Sequence, residues 1–193
     1  VDNPALHCLP LTAHCSLLTA YRLPSSNMKL AGNLPNAEYR RFEGMREYDA
    51  VIDSLIPQTQ REIRVFDRAL SRAYNSPQRV EALRQFLLAS RLNRLMIVLH
   101  EVQMLECDCP RLLQLARQFS HAVSIRQTLR VAKQVYDPFV VIDASHYVHR
   151  FHYGHLRCAQ GTHDVVGAQQ LLDRFAEIRE ASAPTVPAHV SGL

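Results

Sequence analysis

The hydrophobic positions of this chain change period several times. Tyr48, Val51, Ile52, Leu55 and Ile56 repeat at helical spacing, so residues 45–59 are expected to form an amphipathic helix. Glu62-Ile-Arg-Val-Phe-Asp67 then alternates polar and apolar, the pattern of a strand. Ser76 is placed to cap a second helix, with Pro77 at its first position. That helix is expected to run to about Ser90, with Val80, Leu83, Phe86, Leu87 and Leu88 inward. Arg94–His100 is a continuous apolar run, which suits a strand covered on both faces in a parallel sheet.

Pro110 opens a helix over 110–119 that carries Leu112, Leu113, Leu115 and Phe119. Strands are expected at 121–126, 139–143 and 146–153, the last two joined into a hairpin by a tight Ala144-Ser145 turn. A short strand over 156–160 follows. Asp164 caps a final helix, with Val166, Leu171, Leu172, Phe175 and Ile178 inward. Alternating helices and strands predict an α/β domain, a mixed sheet flanked by helices. Residues 38–182 are expected to form it. Residues 1–37 are expected to be a disordered or misassigned extension, with Met28 as an alternative start, and 183–193 a flexible tail.

Composition narrows the function classes. A length of 193 residues suits one such domain, and 47% hydrophobic with 21% charged residues is ordinary for a globular protein. No stretch reaches the ~18 apolar residues of a membrane span. The net charge of +4 is mild. Eight arginines from Arg61 to Arg94 interleave with Glu62, Asp67 and Glu81, so a solvated surface is expected and no nucleic-acid track. Five cysteines at irregular spacing read as reduced thiols of a cytoplasmic protein. No cofactor is expected.

Asp67, His100 and Asp143 each close a strand, and open α/β sheets collect ligands beyond the carboxyl ends of their strands. The three are expected to converge at one edge, with Arg150 beside them, as a ligand-binding site. The competing reading is that Asp67 and His100 only serve their loops. His146, His149, His152 and His155 recur every third residue. On a strand, His146 and His152 share one side and His149 takes the other. No metal is expected; the alternative is a small site of His146 and His152 with Asp143.

Tyr136-Asp-Pro-Phe-Val-Val-Ile-Asp143 resembles the His-x-Lys-x-x-x-x-Asp motif of the phospholipase D-like fold. Asp143 stands at the aspartate, but Tyr136 stands at the histidine and Pro138 at the lysine. The chain is also similar to an uncharacterised bacterial domain family, over residues 40–193. Its phrases match Asn75–Ser90, Ile97–Glu101, Cys109–Leu113, Gln118–His121, Tyr136–Val140 and His146–His152. The resemblance implies a phospholipase D-like half-domain with a degenerate motif, of a kind often found after a GNAT-type acetyltransferase domain. No acetyl-CoA loop occurs here, so that activity is not carried over. The implied role is a non-catalytic module that binds a phosphate-bearing ligand or a partner protein, an acetyltransferase included. The alternatives are an enzyme of altered chemistry with His100 or His149 as base, and a structural dimerisation domain. Phospholipase D-like halves pair, so a homodimer is expected. Its interface is expected near 139–153, where Tyr147, Phe151 and Tyr153 supply large side chains.

Overall fold

In this computed structural model, residues 36–185 are described. The expectations for an amino-terminal extension and a loose tail fall mostly on 1–35 and 186–193, outside the described residues. The strands are β1 Glu38–Glu43, β2 Glu62–Asp67, β3 Arg94–Leu99, β4 Val123–Thr128, β5 Phe139–Ile142, β6 His146–Arg150, β7 Arg157–Thr162 and β8 Ser182–Pro184. The helices are α1 Met45–Leu55, α2 Pro77–Ala89, α3 Leu105–Asp108, α4 Pro110–Gln118 and α5 Val165–Glu180.

All eight strands form one mixed sheet in the order β1-β7-β6-β5-β2-β3-β4-β8. The β2–β3 and β3–β4 pairings are parallel; the other five are antiparallel. Strand alternation sends Ile63, Val65, Leu95 and Ile97 into one core, shared with Ile52 of α1, Leu83 of α2 and Leu112 of α4. Phe66, Val98, Phe139 and Tyr147 point the other way, against Phe175 and Ile178 of α5. The sheet is therefore covered on both faces, as the apolar run of β3 requires.

Local chemistry sets most boundaries where the sequence places them. The Ser76 side chain accepts from the Arg79 backbone N–H at 3.2 Å, and Pro77 opens α2. The expected helix over 45–59 ends at Leu55 and tightens into a 3-10 turn at Ile56–Gln58, which holds Pro57. Two inward assignments need correction. Leu88 and Val166 are exposed, because each lies off the stripe that its helix turns to the sheet. The ordered domain also exceeds the predicted span at its end. Ala183 and Pro184, expected at the start of a flexible tail, continue from Ser182 as an edge strand paired with β4.

One buried ion cluster ties α1 to α2. The wholly buried Arg79 guanidinium donates to Asp53 Oδ1 at 2.6 Å and to Asp49 Oδ1 at 3.2 Å, and lies over the Tyr74 ring. Burial presses its charge down, but the two carboxylates outweigh it and leave Arg79 firmly protonated.

Candidate functional site

The four predicted ligand residues do not meet in one place. β5 is antiparallel to β2, with Ile63 opposite Ile142. Asp143 therefore lies where β2 begins, and Asp67 where it ends. The Asp143 carboxylate accepts from the backbone N–H groups of Gln60 at 2.6 Å, Arg61 at 2.7 Å and Glu62 at 2.9 Å. It is a clamp between the β5 turn and the start of β2, and those bonds occupy both of its oxygens.

His100 does end β3 near Asp67, but on the other face. Its ring packs edge-on against Phe66 at 5.2 Å, whereas Asp67 points to the α1 side by strand alternation. His100 Nε2 donates to the Val135 carbonyl at 2.7 Å, and Nδ1 bonds the Thr128 hydroxyl at 2.6 Å. Both ring nitrogens are used and the side chain is buried, so His100 is a structural core histidine.

Asp67 and Arg150 remain together. β6 runs antiparallel to β5, which returns Arg150 to the end of the sheet that holds Asp67. Burial lifts the Asp67 carboxyl to about 7; the Arg68 backbone N–H and the Arg150 charge pull it back only in part. Arg150 Nε donates to the His155 carbonyl at 2.9 Å, and no carboxylate among the described residues pairs with its guanidinium.

Around this pair lies a cluster that sequence reasoning did not assemble. Tyr136, Phe151, His152 and Tyr153 gather at the same end of the sheet. His152 stacks on Tyr153 at 4.7 Å, and Tyr136 lies within 5.9 Å of both rings. Arg68 lies over the Tyr153 ring at 4.7 Å while its guanidinium forks onto Glu101. Tyr136 is 49% exposed and Phe151 43%. The available signal was the β5–β6 pairing, which brings Tyr136 and Tyr153 side by side; the Tyr153 N–H donates to the Tyr136 carbonyl at 2.8 Å.

The histidines divide likewise. His149 Nε2 bonds Asp137 Oδ2 at 3.2 Å, and Arg174 of α5 donates to Asp137 Oδ1 at 2.6 Å. Burial pushes the Asp137 carboxyl up, yet the His149 hydrogen bond and the Arg174 charge hold it below the usual range. His146 and His152 sit at opposite ends of β6, so the structure does not bring them together as metal ligands. Among the described residues, no group of three His, Cys, Asp or Glu side chains is placed to hold a metal ion. The His146 ring instead meets His163 edge-on at 4.6 Å. Burial and then the His163 charge lower its pKa, against the pull of Asp143.

The arginines of the middle segment are largely paired. Arg64 bonds Glu62, Arg72 Asp108, and Arg84 Glu81, in addition to the Arg68 and Arg79 pairs. Among the described residues, no helix is long and apolar enough to cross a membrane.

The sequence profile of a domain of unknown function, DUF7931, matches residues 44–187. No curated protein matches the chain. Several solved structures share its architecture. A phospholipase D family member, Nuc from Salmonella typhimurium, superposes with a TM-score of 0.56 at 11% identity, over 78% of this chain and 99% of that one. NucT from Helicobacter pylori gives 0.53 at 12%, over 78% and 100%. TrmBL2, an archaeal chromatin protein described as binding DNA, gives 0.55 at 11%, over 82% of this chain and 57% of its own length. At such identities the likeness speaks for the fold alone, and the fold is the α/β arrangement of phospholipase D-like proteins.

Proposed function

The chain belongs to the DUF7931 family and has a phospholipase D-like fold, and on that basis we propose that it is a non-catalytic module that works by pairing with another protein, first a second copy of itself. The observation that carries this reading is the cluster of Tyr136, His152 and Tyr153 with Arg68 over it, next to which the exposed Phe151 ring packs against His149. Aromatic and arginine side chains are the types enriched at protein interfaces. A domain that supplies one phospholipase D-like half has reason to keep such a surface open.

Loss of catalysis is the second part of the reading. Resemblance puts Tyr136 where that fold's nucleophilic histidine stands and Pro138 where its phosphate-binding lysine stands. A phenol is almost wholly protonated at neutral pH, since its ordinary pKa is about 10. Proline brings no charge. The alternative bases are engaged as well: His100 is spent on Thr128 and Val135, and His149 on Asp137. Paired arginines speak against a nucleic-acid track. The family resemblance makes an acetyltransferase the other partner to test, in the cytoplasm, where the free thiols of Cys107, Cys109 and Cys158 would stay reduced.

Light scattering on the purified chain tests the pairing. The monomer mass is 22.0 kDa, and about twice that is expected at micromolar concentration. Phe151→Asp should return the protein to the monomer mass with unchanged circular dichroism. A wild-type mass that stays monomeric on concentration rejects the homodimer.

A further inference from the structure

The opposite end of the sheet holds a hollow of about 560 Å³, lined by Gln58, Gln60, Arg61, Ser145, His146 and His163 among others. That volume lies within the range of small-molecule sites, roughly 300–1,000 Å³. Its two carboxylates already have partners. Asp143 is held by three backbone N–H groups, and Glu62 by Arg64. Its donors are not spent in the same way. The Arg61 guanidinium has no carboxylate or carbonyl partner among the described residues, nor does the Ser145 hydroxyl. The His163 backbone N–H donates to His146 Nδ1 at 3.2 Å, so the neutral His146 ring carries its own hydrogen on Nε2. The wall is also built against backbone preference. Asp143, Ala144 and His163 all hold φ between 50 and 54°, the left-handed region that side chains resist.

A hollow whose carboxylates are partnered and whose Arg61 and Ser145 donors are unspent selects an anion. We propose that this hollow binds the phosphate of a small phosphomonoester, with Arg61 and Ser145 on the phosphate and His146 and His163 closing around it. Arginine suits the role because its fork matches two phosphate oxygens. The Gln60 amide is left for the polar remainder of the ligand, since the Gln58 amide already donates to the Ser54 carbonyl at 2.9 Å. The site is independent of the pairing surface, from which the length of β6 separates it.

Calorimetry on the full chain, with ribose 5-phosphate, ribose, inorganic phosphate and zinc chloride, tests the site. Histidine ring NMR shifts locate any binding. Ribose 5-phosphate is expected to bind at millimolar concentration or below and ribose not at all, with shifts at His146 and His163. Arg61→Ala should weaken binding about tenfold or more, and Arg61→Lys less, because the charge survives without the fork. Equal affinity for inorganic phosphate would make the free ion the ligand and still support the site. Four results would overturn it: binding unchanged in Arg61→Ala, shifts confined to His152 and His155 near Arg150, zinc binding without phosphate binding, or no phosphate binding.

Discussion

Tyr147 on β6 donates its hydroxyl to Asp164 Oδ2 at 2.8 Å, and the other oxygen of that carboxylate caps α5 by accepting the Gly167 N–H at 2.9 Å. One side chain thus joins the sheet to the first turn of the helix that covers its second face. The ring fits only because two neighbours have no side chain. A Cβ on Gly161 would meet the Tyr147 ring at 2.2 Å, and one on Gly167 would meet Asp164 Oδ2 at 2.4 Å and the ring at 2.7 Å. Gly161→Ala is expected to cost about 1–3 kcal/mol, as overpacking does. In a Tyr147→Ala background the same change should cost far less, because the obstructing ring is gone. Urea denaturation of the four proteins of this cycle measures the coupling, and an equal cost in both backgrounds would refute the account.

Asp143 should prove to be a stability residue. Asp143→Gly removes its three charge-assisted bonds while fitting the φ of 50° better than aspartate does. A loss of about 2–3 kcal/mol is expected despite that relief. Stability at the wild-type level would mean that solvent serves those N–H groups equally well.

Strand-closing residues were legible in the sequence, and strand direction was not. Asp67, His100 and Asp143 do end their strands, yet Asp143 faces the far edge because β5 runs against β2. A clue was present. The link Leu129–Pro138 carries only the 3-10 turn Arg130–Gln134, whereas a parallel crossover normally needs a helix. β1 escaped notice because five of its six residues are exposed; it is an edge strand held by β7, with Phe42 alone turned inward. β8 was masked by Pro184, which an edge strand tolerates. The meeting of His163 with His146 depends on the β6–β7 register, in which Tyr147 faces Gly161, and no spacing along the chain reports it.

The purified protein is expected not to turn over bis(p-nitrophenyl) phosphate. Tyr136 is half-exposed, but His152 and Tyr153 meet it as tilted aromatic rings, and no histidine among the described residues takes a bond from its hydroxyl. Phosphodiester turnover that vanishes in Tyr136→Phe would show the phenol to be a working nucleophile and end the non-catalytic reading.

Asp67 gives the fold a distinctive pH response. Its carboxyl is raised to about 7 in the folded protein, against an ordinary value of 3.8. Between those values the folded state keeps a proton that the unfolded chain has released. Linkage then makes stability fall as pH rises across that window: the contribution is whole below pH 3.8 and gone above about 7. Each pH unit inside the window is worth at most about 1.4 kcal/mol. Asp67 retains some contact with solvent, so a total near 2 kcal/mol is expected. His146 acts in the opposite sense, because a folded pKa lowered from 6.5 removes stability as pH falls through that region. Comparison with Asp67→Asn cancels the His146 contribution, since both proteins carry it. Relative to wild type, the Asn variant should gain about 1 kcal/mol between pH 5 and pH 8 in urea denaturation. A difference that stays flat over that range would show that Asp67 ionises as an ordinary aspartate, with Arg150 neutralising it fully.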